Sequence, residues 1–459
     1  MTRQGDFRKV ISLTEAKRLV RRALGPGGSP AAGRVRRPAP ERVPLAEAAG
    51  RVLAEPVVAA EDVPAFDRST VDGYAVIAED TFGAAEGAPA LLEVVGTVEM
   101  GRPAGFRLTA GQAGAVPTGG SLPEGADAVV MVEHSVIPGE GLVELTRPVA
   151  PGENVVRAGE DIRRATEVLP AGRRLAPADV GVLAAVGVTE PVCFARPRVA
   201  VIPTGDEIVP PDAPVCRPGQ VRDVVSVALA ALISRDGGVP RVSDVVPDRR
   251  EALEAAVSGV LPESELVLVL GGSSVGARDH TAAVIDRCGP PGVLFHGLAL
   301  KPGKPTLFGV CGGVGKGDRA VAVFGLPGHP VSALVVYRLL VRTALRLVAG
   351  EAVPAWRDEA GADPLEATVA ATLTRAVPSD QGREDYVCVR LRPSEAAPPP
   401  AGAGAGPPGS GRGAVLLAEP VFGKSGLITM LAQADGLVRI PAGRRGLEPG
   451  TEVEVILLD

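Results

Sequence analysis

Residues 198–348 alternate short apolar runs with amphipathic stretches, and this alternation limits the possible folds more than any other feature of the sequence. The apolar runs predict strands, and the stretches between them have the spacing of helices. In such a series the helices cover the faces of a mostly parallel sheet. The predicted elements are strands RVAVI from 198, RVSDVV from 241, LVLVL from 266, VLFHGLAL from 293 and AVAVF from 320, and helices over about 223–235, 248–259, 279–287 and from Pro330 to about 348.

β patterning lies on both sides of this segment. Residues 61–151 alternate short apolar runs such as YAVIA, LLEVVGTV and GLVELT with Gly and Pro turns, which predicts a small all-β unit. After about residue 353 the runs DYVCVRLRP and GLVRIPAGRRGLEPGTEVEVILL predict a second β domain, interrupted by a low-complexity stretch at 397–413. A chain of 459 residues is too long for one core, so the sequence predicts a multidomain protein of α/β and β parts.

The N-terminal region predicts one helix followed by a flexible stretch. SLTEAKRLVRRAL at 12–24 opens with Ser12 and has Glu15 three residues later, which is the spacing of a capping box. Residues 25–40 have too little apolar content to pack, and we expect them to be flexible.

Composition excludes several classes of protein. The net charge of −6 and a pI of about 5.5 argue against a nucleic-acid partner, which needs a basic surface. Five cysteines without a CxxC pair argue against a disulfide framework and a zinc cage, and they favour a reducing compartment. No apolar stretch reaches the roughly 18 residues of a membrane helix, and the N-terminus lacks the pattern of a signal peptide. We therefore expect a soluble cytoplasmic protein with no membrane partner.

Four loops that follow predicted strands share one chemical make-up. They are PTGDE at 203–207, GGSSVGARD at 271–279, KPGKP at 301–305 and GLPGHPVS at 325–332. Loops at the carboxyl ends of parallel strands meet at one edge of the sheet, where ligands bind. A single loop of this kind is usually plain architecture, but four together predict a pocket for a phosphorylated small molecule.

The candidate binding residues supply backbone N–H groups, hydroxyl groups and positive charge to phosphate. Two prolines and a glycine stiffen the third loop, which predicts that Lys301 and Lys304 are aimed together, although an ordinary surface turn also fits that stretch alone. The remaining candidates are Thr204, Gly205, Glu207, Gly271, Gly272, Ser273, Ser274, Gly276, Pro302, Gly303, Gly325, Pro327, Gly328 and Ser332.

Carboxylates also lie close to the predicted strand ends. Asp206, Glu207, Asp248 and Asp279 are placed where acidic groups commonly hold Mg²⁺ beside phosphates. Asp248 and Asp279 fit helix N-caps equally well, so position alone leaves both readings open.

Other enzyme classes lack support in the motifs. No strand-to-helix loop carries GxGxxG or GxxxxGK[ST], which argues against an ordinary NAD or ATP site. The four histidines are scattered without HExxH, which disfavours a zinc site and leaves a serine hydrolase triad poorly supported as well.

These loops, in this order, resemble the molybdopterin molybdenumtransferase family, which includes bacterial MoeA and the E domain of gephyrin. The resemblance covers nearly the whole chain. Its motifs are VPAFDRSTVDGYAV at 63–76, PTGGSLPEGADAVVMVE at 117–133, GENVVRAGEDI at 152–162, PTGDEIV at 203–209, GGSSVGARDHT at 271–281, KPGKP at 301–305 and GLPGHPVSA at 325–333.

The resemblance implies a four-part subunit that forms a homodimer. The pocket of one subunit would be completed by the inserted β domain of the other. The implied parts are an elongated domain formed by 1–60 and 152–192, an inserted β domain at 61–151, an α/β molybdopterin-binding domain at 193–352 and a C-terminal β-barrel at 353–459.

The resemblance also implies the reaction. The family takes adenylylated molybdopterin, cleaves its phosphoanhydride with Mg²⁺, and loads molybdate to give molybdenum cofactor and AMP. Molybdopterin adenylyltransferase and apo-molybdoenzymes are the implied protein partners.

Roles for individual residues follow from the same resemblance. Asp72, Asp248 and Asp279 would hold the metal, while Lys301 and Lys304 would offset charge on the phosphates. Candidates for contact with molybdate or for positioning substrate are Thr118, Arg157, Glu207 and Asp223.

One position departs from the family pattern. Relatives tend to carry Asn in the segment after Asp223, whereas this chain has Val225. Loss of a pocket amide weakens a hydrogen bond to ligand, so a binding or carrier protein without turnover remains an alternative function. A molybdopterin adenylyltransferase is less favoured, because residues 1–190 have no use in such an enzyme.

Overall fold

The computed structural model describes residues 10–25, 35–271, 280–312, 320–354, 366–394 and 416–458. The chain divides into two compact units. The larger unit comprises Met1–Glu41, Gly50–Val52 and Phe194–Asp459, and the smaller unit comprises Arg42–Ala49 and Leu53–Cys193. The predicted flexible stretch 397–413 and most of 25–40 lie outside the described residues.

Helices occur in both units. None of those within the described ranges has both the length and the apolar character that crossing a membrane requires. A π-helical turn at Tyr337–Val341 joins α6 to α7, so the helix predicted from Pro330 to about 348 is continuous. The helices are α1 (Leu13–Leu24), α2 (Pro177–Ala185), α3 (Val225–Arg235), α4 (Arg250–Val260), α5 (His280–Arg287), α6 (Pro330–Val336), α7 (Arg342–Val348) and α8 (Thr429–Ala432).

The first helix, α1, begins as the capping pattern predicted. The Ser12 hydroxyl accepts the Glu15 backbone N–H at 3.1 Å, which satisfies one of the free donors of the first turn. Val20 and Ala16 of α1 are fully buried, and the helix packs against α7 in the larger unit.

The smaller unit contains an antiparallel-rich sheet of six strands. The strand order is β8-β5-β7-β6-β10-β9, and β5 pairs antiparallel with both β7 and β8. Apolar side chains cover both faces, with Val130 on one and Val129 on the other. The strands of residues 40–169 are β1 (Pro40–Arg42), β2 (Val52–Leu53), β3 (Val57–Val58), β4 (Arg68–Ser69), β5 (Gly73–Val76), β6 (Ala90–Thr97), β7 (Gln112–Val116), β8 (Ala128–Met131), β9 (Ser135–Gly139), β10 (Leu142–Leu145), β11 (Val155–Val156) and β12 (Glu167–Leu169).

The larger unit is built on a second six-stranded sheet in the order β17-β14-β18-β22-β21-β19. The first four strands in this order are parallel, and β21 runs antiparallel to both of its neighbours. The mostly parallel sheet predicted from the alternation is confirmed. The strands of residues 192–326 are β13 (Val192–Phe194), β14 (Arg198–Pro203), β15 (Ile208–Val209), β16 (Val221–Arg222), β17 (Val239–Val242), β18 (Leu266–Leu270), β19 (Gly292–His296), β20 (Leu300–Lys301), β21 (Leu307–Cys311) and β22 (Val321–Leu326).

Both faces of this sheet are buried, which explains the continuous apolar character of its central strands. Successive side chains of β18 enter two different cores: Leu268 packs on the face shared with α3, α6 and α7, whereas Val267 and Val269 pack on the face covered by α4 and α5. Strand β18 has no exposed residue. This burial leaves only the strand ends and their loops free for a ligand.

One strand prediction was wrong in a way that matters for the site. The run VLFHGLAL does not form a single strand, because β19 ends at His296 and the separate strand β20 begins at Leu300. Strand β20 leaves the α/β sheet and pairs in parallel with β25 (Glu384–Pro393). Strand β21 had no counterpart among the predicted strands.

The C-terminal region forms a closed barrel. Strands β25, β26, β23, β29 and β27 pair in that order, and β27 pairs back to β25, so the ring has no open edge. Val389 and Val455 are fully buried inside it. The strands are β23 (Thr368–Leu373), β24 (Val377–Pro378), β25 (Glu384–Pro393), β26 (Leu416–Pro420), β27 (Gly436–Ile440), β28 (Gly446–Leu447) and β29 (Glu452–Leu457).

Three aromatic rings pack together in the core of the larger unit, and they provide a stability test. Phe308 has no exposed surface, and its ring centroid lies 4.6 Å from that of Phe324 and 5.9 Å from that of Phe295. We expect Phe308→Ala to lower the free energy of unfolding by about 3–5 kcal/mol, because it removes packing and leaves a cavity. Urea denaturation followed by circular dichroism measures this change.

Phe82→Ala is the matched control, since the Phe82 side chain is 60% exposed. It should change the free energy of unfolding by no more than about 0.5 kcal/mol. Equal effects of the two substitutions would contradict the packing assigned to Phe308.

Candidate functional site

A cleft of about 1280 Å³ opens in the larger unit at the carboxyl ends of β14, β18 and β22. Thr204, Gly271 and Gly328 line it from the three loops that follow these strands. The short strands β15 and β16, the start of α3 and the segment Gly426–Ile428 of the C-terminal region complete its walls. The edge at which the sequence predicted a pocket therefore carries one.

The floor of the cleft depends on close backbone approach between two loops. Both the N–H and the hydroxyl of Thr204 donate to the Leu270 carbonyl, at 2.9 and 2.8 Å. Gly271 has φ +86°, and a Cβ there would lie 2.8 Å from the Thr204 carbonyl oxygen. Only glycine fits this position without displacing the neighbouring strand end.

The loop after β22 contributes Pro327 and Gly328 to the cleft. Ser332, by contrast, is 5% exposed within α6 and is not among the cleft residues. Gly325 belongs to buried β22, where a Cβ would lie 2.6 Å from a Leu307 side-chain carbon. The structure thus gives Gly325 and Ser332 positions in the packing beneath the loop.

Gly205 and Glu207 form the turn after β14. Gly205 has φ +137°, and its missing side chain leaves space for the Glu207 carboxyl group, which a Cβ would approach to 2.7 Å. Glu207 is exposed and lines the cleft. Its backbone carbonyl accepts the Val221 N–H at 2.9 Å, which joins the two strands β15 and β16.

Asp223 caps the start of α3. Its Oδ1 accepts the Ser226 backbone N–H at 3.0 Å, and its Oδ2 accepts the Ser226 hydroxyl. Both carboxylate oxygens are therefore engaged inside the protein, although Asp223 also lines the cleft. Val224 and Val225 follow it on the cleft wall, so this wall is apolar.

The structure separates Lys301 from Lys304, contrary to the prediction that the loop aims them together. Lys304 lines the cleft, and within the described residues it makes no ion pair. Lys301 Nζ lies 3.2 Å from the Asp385 carboxylate on β25 and is not a cleft residue. The reason is the pairing of β20 with β25, which sets Lys301 opposite Asp385.

Internal bonds hold the turn between the two lysines. The Thr306 hydroxyl donates to the Gly303 carbonyl at 2.7 Å, and the Leu298 N–H donates to the Lys304 carbonyl at 2.9 Å. Gly303 has φ +124°, and a Cβ there would lie 2.5 Å from a Val336 methyl carbon. Neither Gly303 nor Pro302 is among the cleft residues, so both shape the turn that presents Lys304.

Asp248 lies on the loop after β17, beside the turn after β14. Its backbone N–H donates to Asp206 Oδ1 at 3.2 Å, while Val246 exchanges backbone hydrogen bonds with Pro203 and Gly205. The N-cap residue of α4 is Arg249, and its side chain makes no capping hydrogen bond to the helix. Asp206 and Asp248 thus bring two carboxylates to neighbouring positions at this end of the sheet.

A complete metal site is not formed by the described residues alone, which contain no cluster of three or more His, Cys, Asp or Glu side chains able to hold an ion. The carboxylate oxygens of Asp206 and Asp248 are nevertheless the hard ligands that Mg²⁺ prefers, and Mg²⁺ commonly takes one or two carboxylates together with substrate phosphates. Several predicted site residues lie outside the described ranges, namely Gly272, Ser273, Ser274, Gly276 and Asp279.

Asp72 and Thr118, two predicted residues that are 46 positions apart, meet in the smaller unit. The Thr118 backbone N–H and its hydroxyl both donate to Asp72 Oδ1, at 2.7 and 3.0 Å. These bonds, the backbone bond first, hold the pKa of the Asp72 carboxyl below its ordinary value, although the group is fully exposed. Asp72 is therefore kept ionised.

Arg157 is engaged by another carboxylate of the smaller unit. Its guanidinium donates to Asp67 at 2.8 Å and to the Asp127 carbonyl at 3.2 Å. The Asp67–Arg157 pair is partly exposed. An oxyanion binding to Arg157 would compete with Asp67.

Four titratable cleft residues were not among the predicted site residues: Cys216, Arg222, His296 and His329. Cys216 and Arg222 belong to the β15–β16 region, which sequence patterning did not identify as a wall of the pocket. His329 lies inside the GLPGHPVS loop, where its neighbours were chosen for their glycine and hydroxyl chemistry. A search for titratable groups within the four loops could have found it.

The arrangement combines three properties of a small-molecule site. The cleft is large, it has an apolar wall, and polar groups from several loops, among them Thr204, Lys304 and His329, line it. Lys304 supplies a positive charge for which the described residues offer no partner. Such a cleft suits a flat apolar-faced ligand that carries anionic groups at one end.

Three family models of known proteins match successive parts of the chain. Residues 11–187 match the MoeA N-terminal region (domain I and II), residues 200–347 match a probable molybdopterin binding domain, and residues 407–458 match the MoeA C-terminal region (domain IV). Fold and cleft thus define a multidomain protein with an α/β domain of the molybdopterin-binding class and a C-terminal barrel.

Similarity to individual proteins identifies the family within this class. The chain is 34% identical over 439 residues to molybdopterin molybdenumtransferase 1 of Mycobacterium tuberculosis (strain CDC 1551 / Oshkosh), covering 92% of this chain and 95% of the relative. It is 30% identical over 422 residues to molybdopterin molybdenumtransferase of Bacillus subtilis (strain 168), covering 91% and 90%. The crystal structure of the molybdopterin biosynthesis moeA protein from Pyrococcus horikoshii OT3 matches with a TM-score of 0.76 and 30% identity, covering 98% and 100%. The chain belongs to the molybdopterin molybdenumtransferase (MoeA) family.

The separation of the two lysines gives a first test of the site. We expect Lys304→Met to weaken equilibrium binding of molybdopterin by roughly 10- to 100-fold, because it removes a charged hydrogen-bond donor from the cleft. The same substitution should leave the free energy of unfolding within about 0.5 kcal/mol of the unsubstituted protein, since the Lys304 head group has no ion pair in the described structure.

Lys301→Met is the matched comparison, and it should show the reverse pattern. Asp385 is buried, so loss of its lysine partner should lower the free energy of unfolding by about 1–3 kcal/mol. Molybdopterin binding should change little. Equal losses of affinity in the two variants would restore the prediction that both lysines serve the cleft.

The Asp72–Thr118 contact gives a second test. Thr118→Val removes the hydroxyl donor and keeps the backbone donor, so we expect the pKa of Asp72 to rise but to remain below its ordinary value. Carboxyl chemical shifts followed by NMR across a pH series measure it.

Thr97→Val serves as the control for this substitution, because Thr97 is an exposed strand residue outside the contact. It should leave the titration of Asp72 unaltered. A fall in the Asp72 pKa on Thr118→Val would show that the hydroxyl does not stabilise the ionised carboxyl.

Proposed function

We propose that this protein is an active molybdopterin molybdenumtransferase of molybdenum cofactor biosynthesis. In this reaction adenylylated molybdopterin loses AMP, and molybdate is loaded onto the dithiolene of the pterin. Relatives that match more than nine-tenths of the chain carry that name. The proposal extends the activity of these relatives to this chain and adds the adenylylated form of the substrate.

One observation carries the proposal: the cleft at the strand ends is both apolar-walled and open to a charged group. Ile208, Val221 and Val224 offer surface for the face of a pterin ring. Gly271 and Gly328 let backbone approach the ligand closely, and Lys304 provides positive charge for its phosphate groups.

The proposed work of the chain is mainly electrostatic and positional. Cleavage of a phosphoanhydride moves negative charge onto the leaving phosphate, and a fixed cation beside it stabilises that charge. Lys304 would supply this charge from the cleft, while Thr204 and Gly271 hold the loop that shapes the floor. Glu207 would orient the substrate from the rim.

We further propose Mg²⁺ as the metal of the reaction. Asp248 and Asp279 would hold it, and Asp72 would reach it from the inserted β domain of the partner subunit. Asp206 is a carboxylate of the same chemistry beside Asp248. A bound divalent cation neutralises phosphate charge and polarises the anhydride. We do not assign Lys301 to the charge on the phosphates, since its ammonium group forms an ion pair with Asp385.

Thr118 and Arg157 remain our candidates for contact with molybdate. Both present N–H or O–H donors, which suit an oxyanion. In the smaller unit these donors are directed at Asp72 and Asp67, so the anion would have to exchange with a carboxylate.

The biological setting is proposed from the resemblance. The protein would act in the cytoplasm as a homodimer. It would receive its pterin from molybdopterin adenylyltransferase and deliver cofactor to apo-molybdoenzymes.

One observation favours a second candidate function. Val225 lies on the cleft wall with 7% of its surface exposed, and it offers a ligand no hydrogen bond. A cleft that has lost a polar contact could retain molybdopterin without turnover. The protein would then be a carrier of molybdopterin or of finished cofactor.

The test supplies purified protein with adenylylated molybdopterin, Mg²⁺ and molybdate. We expect AMP release together with activation of an apo-molybdoenzyme. Removal of the metal by EDTA should stop AMP release, and added Mg²⁺ should restore it, because the anhydride is cleaved with a divalent cation.

Asp248→Asn is the variant that tests the metal assignment. It should lower the rate of AMP release and raise the Mg²⁺ concentration needed for half-maximal rate. If the unsubstituted protein binds the pterin tightly but releases no AMP, the transferase function is rejected in favour of the carrier function.

A further inference from the structure

His329 occupies the cleft at the point where the α/β domain meets the C-terminal region of the larger unit. It precedes Pro330 at the start of α6, and its carbonyl accepts the Ala333 N–H at 3.0 Å. The side chain is exposed and lines the cleft with Lys304. Its backbone is therefore fixed by the helix while its ring faces the site.

Ser425 fixes the ring of His329 from the C-terminal region. The Ser425 hydroxyl oxygen lies 3.0 Å from His329 Nδ1, within hydrogen-bond distance. The Ser425 carbonyl accepts the Val331 N–H at 3.1 Å, so the same residue is also tied to the helix start. Ser425 is thus joined both to His329 and to the start of α6, and its hydroxyl contact with Nδ1 orients the imidazole.

The bond to Nδ1 determines what the other ring nitrogen can do. When the serine hydroxyl donates to Nδ1, the ring proton of a neutral imidazole is on Nε2, which becomes a donor. Nε2 makes no hydrogen bond to the described residues. In that tautomer the ring presents one oriented donor, in a cleft where Lys304 makes no ion pair with the described residues.

From this geometry we infer that His329 binds an anionic oxygen of the substrate through Nε2, and that Ser425 positions it. The inference rests on the proposed function for the identity of the anion, which is a phosphate oxygen of the pterin substrate. Lys304 attracts the same group by charge. An imidazole adds direction, because its N–H donates along one line.

The role of the C-terminal region follows from this assignment. Gly426 and Ile428, adjacent to Ser425 in sequence, also line the cleft. The segment that follows β26 therefore acts as part of the substrate site, in addition to packing its own barrel.

Two carboxamide substitutions distinguish the two ring nitrogens. An Asn side chain reaches the position of Nδ1, and a Gln side chain reaches the position of Nε2. We expect His329→Asn to weaken molybdopterin binding by roughly 10-fold or more, a change of about 1.4 kcal/mol. His329→Gln should stay within about 3-fold of the unsubstituted protein.

Ser425→Ala tests the positioning role separately. It leaves His329 in place and frees its ring to rotate, so binding should weaken by roughly 3- to 5-fold. In the double variant Ser425→Ala with His329→Asn, loss of the serine should add almost nothing, because the ring it positions is gone.

His134→Asn is the matched control, since His134 lies in the smaller unit against Arg147. Binding is measured by titration of the full chain with molybdopterin, and unfolding is followed in parallel to show that each variant is folded. Inorganic pyrophosphate is the second probe, because it presents phosphate oxygens without a pterin.

The outcomes separate the inference from the proposed function. Equal affinities of His329→Asn and His329→Gln, or additive losses in the double variant, would overturn the assignment to Nε2 even if the enzyme releases AMP. If the unsubstituted protein releases no AMP, the proposed function fails. The Asn and Gln variants then still decide the inference through their affinities for pyrophosphate.

Discussion

The structure of the site depends on the parallel pairing of β14, β18 and β22. Parallel neighbours share direction, so their carboxyl ends must lie at the same edge, and the loops that follow them cannot avoid one another. Burial of both faces of these strands excludes ligands everywhere except at this edge. Hydrogen bonds from Thr204 to the Leu270 carbonyl and from Gly271 to the Leu326 carbonyl then lock the three strand ends into one floor.

The pairing of two residues of β20 determines the surroundings of the two lysines. Because Leu300 and Lys301 join β25, the chain leaves the α/β sheet before the turn that carries Lys304. One lysine is thereby used for a buried carboxylate at the junction with the barrel, and the other is left for the cleft. Two side chains three positions apart thus acquire different roles through strand pairing alone.

The C-terminal barrel contributes to the cleft as well as to stability. Ser425, Gly426 and Ile428 reach the site from this region, and Ser425 contacts His329 at the start of α6. A ligand in the cleft would therefore contact two parts of the larger unit at once. The polar groups of Asp72, Thr118, Asp67 and Arg157 form separate contacts within the smaller unit.

Much of the fold and part of the site were determined by the sequence itself. The alternation of apolar runs and helices predicted a mostly parallel sheet. The glycine-bearing loops after β14, β18 and β22 predicted the edge of that sheet at which Thr204, Gly271 and Gly328 line the cleft. These features are local, because periodicity and turn chemistry act over a few residues.

The separation of Lys301 from Lys304 and the approach of Ser425 to His329 were decided only by tertiary structure. Each depends on which distant segment packs beside the residue. Ser425 is 96 positions from His329, and Asp385 lies more than 80 positions after Lys301, so no local pattern contains these contacts. The burial of apolar surface in the larger unit selects those neighbours, and the chemistry of the cleft follows from that selection.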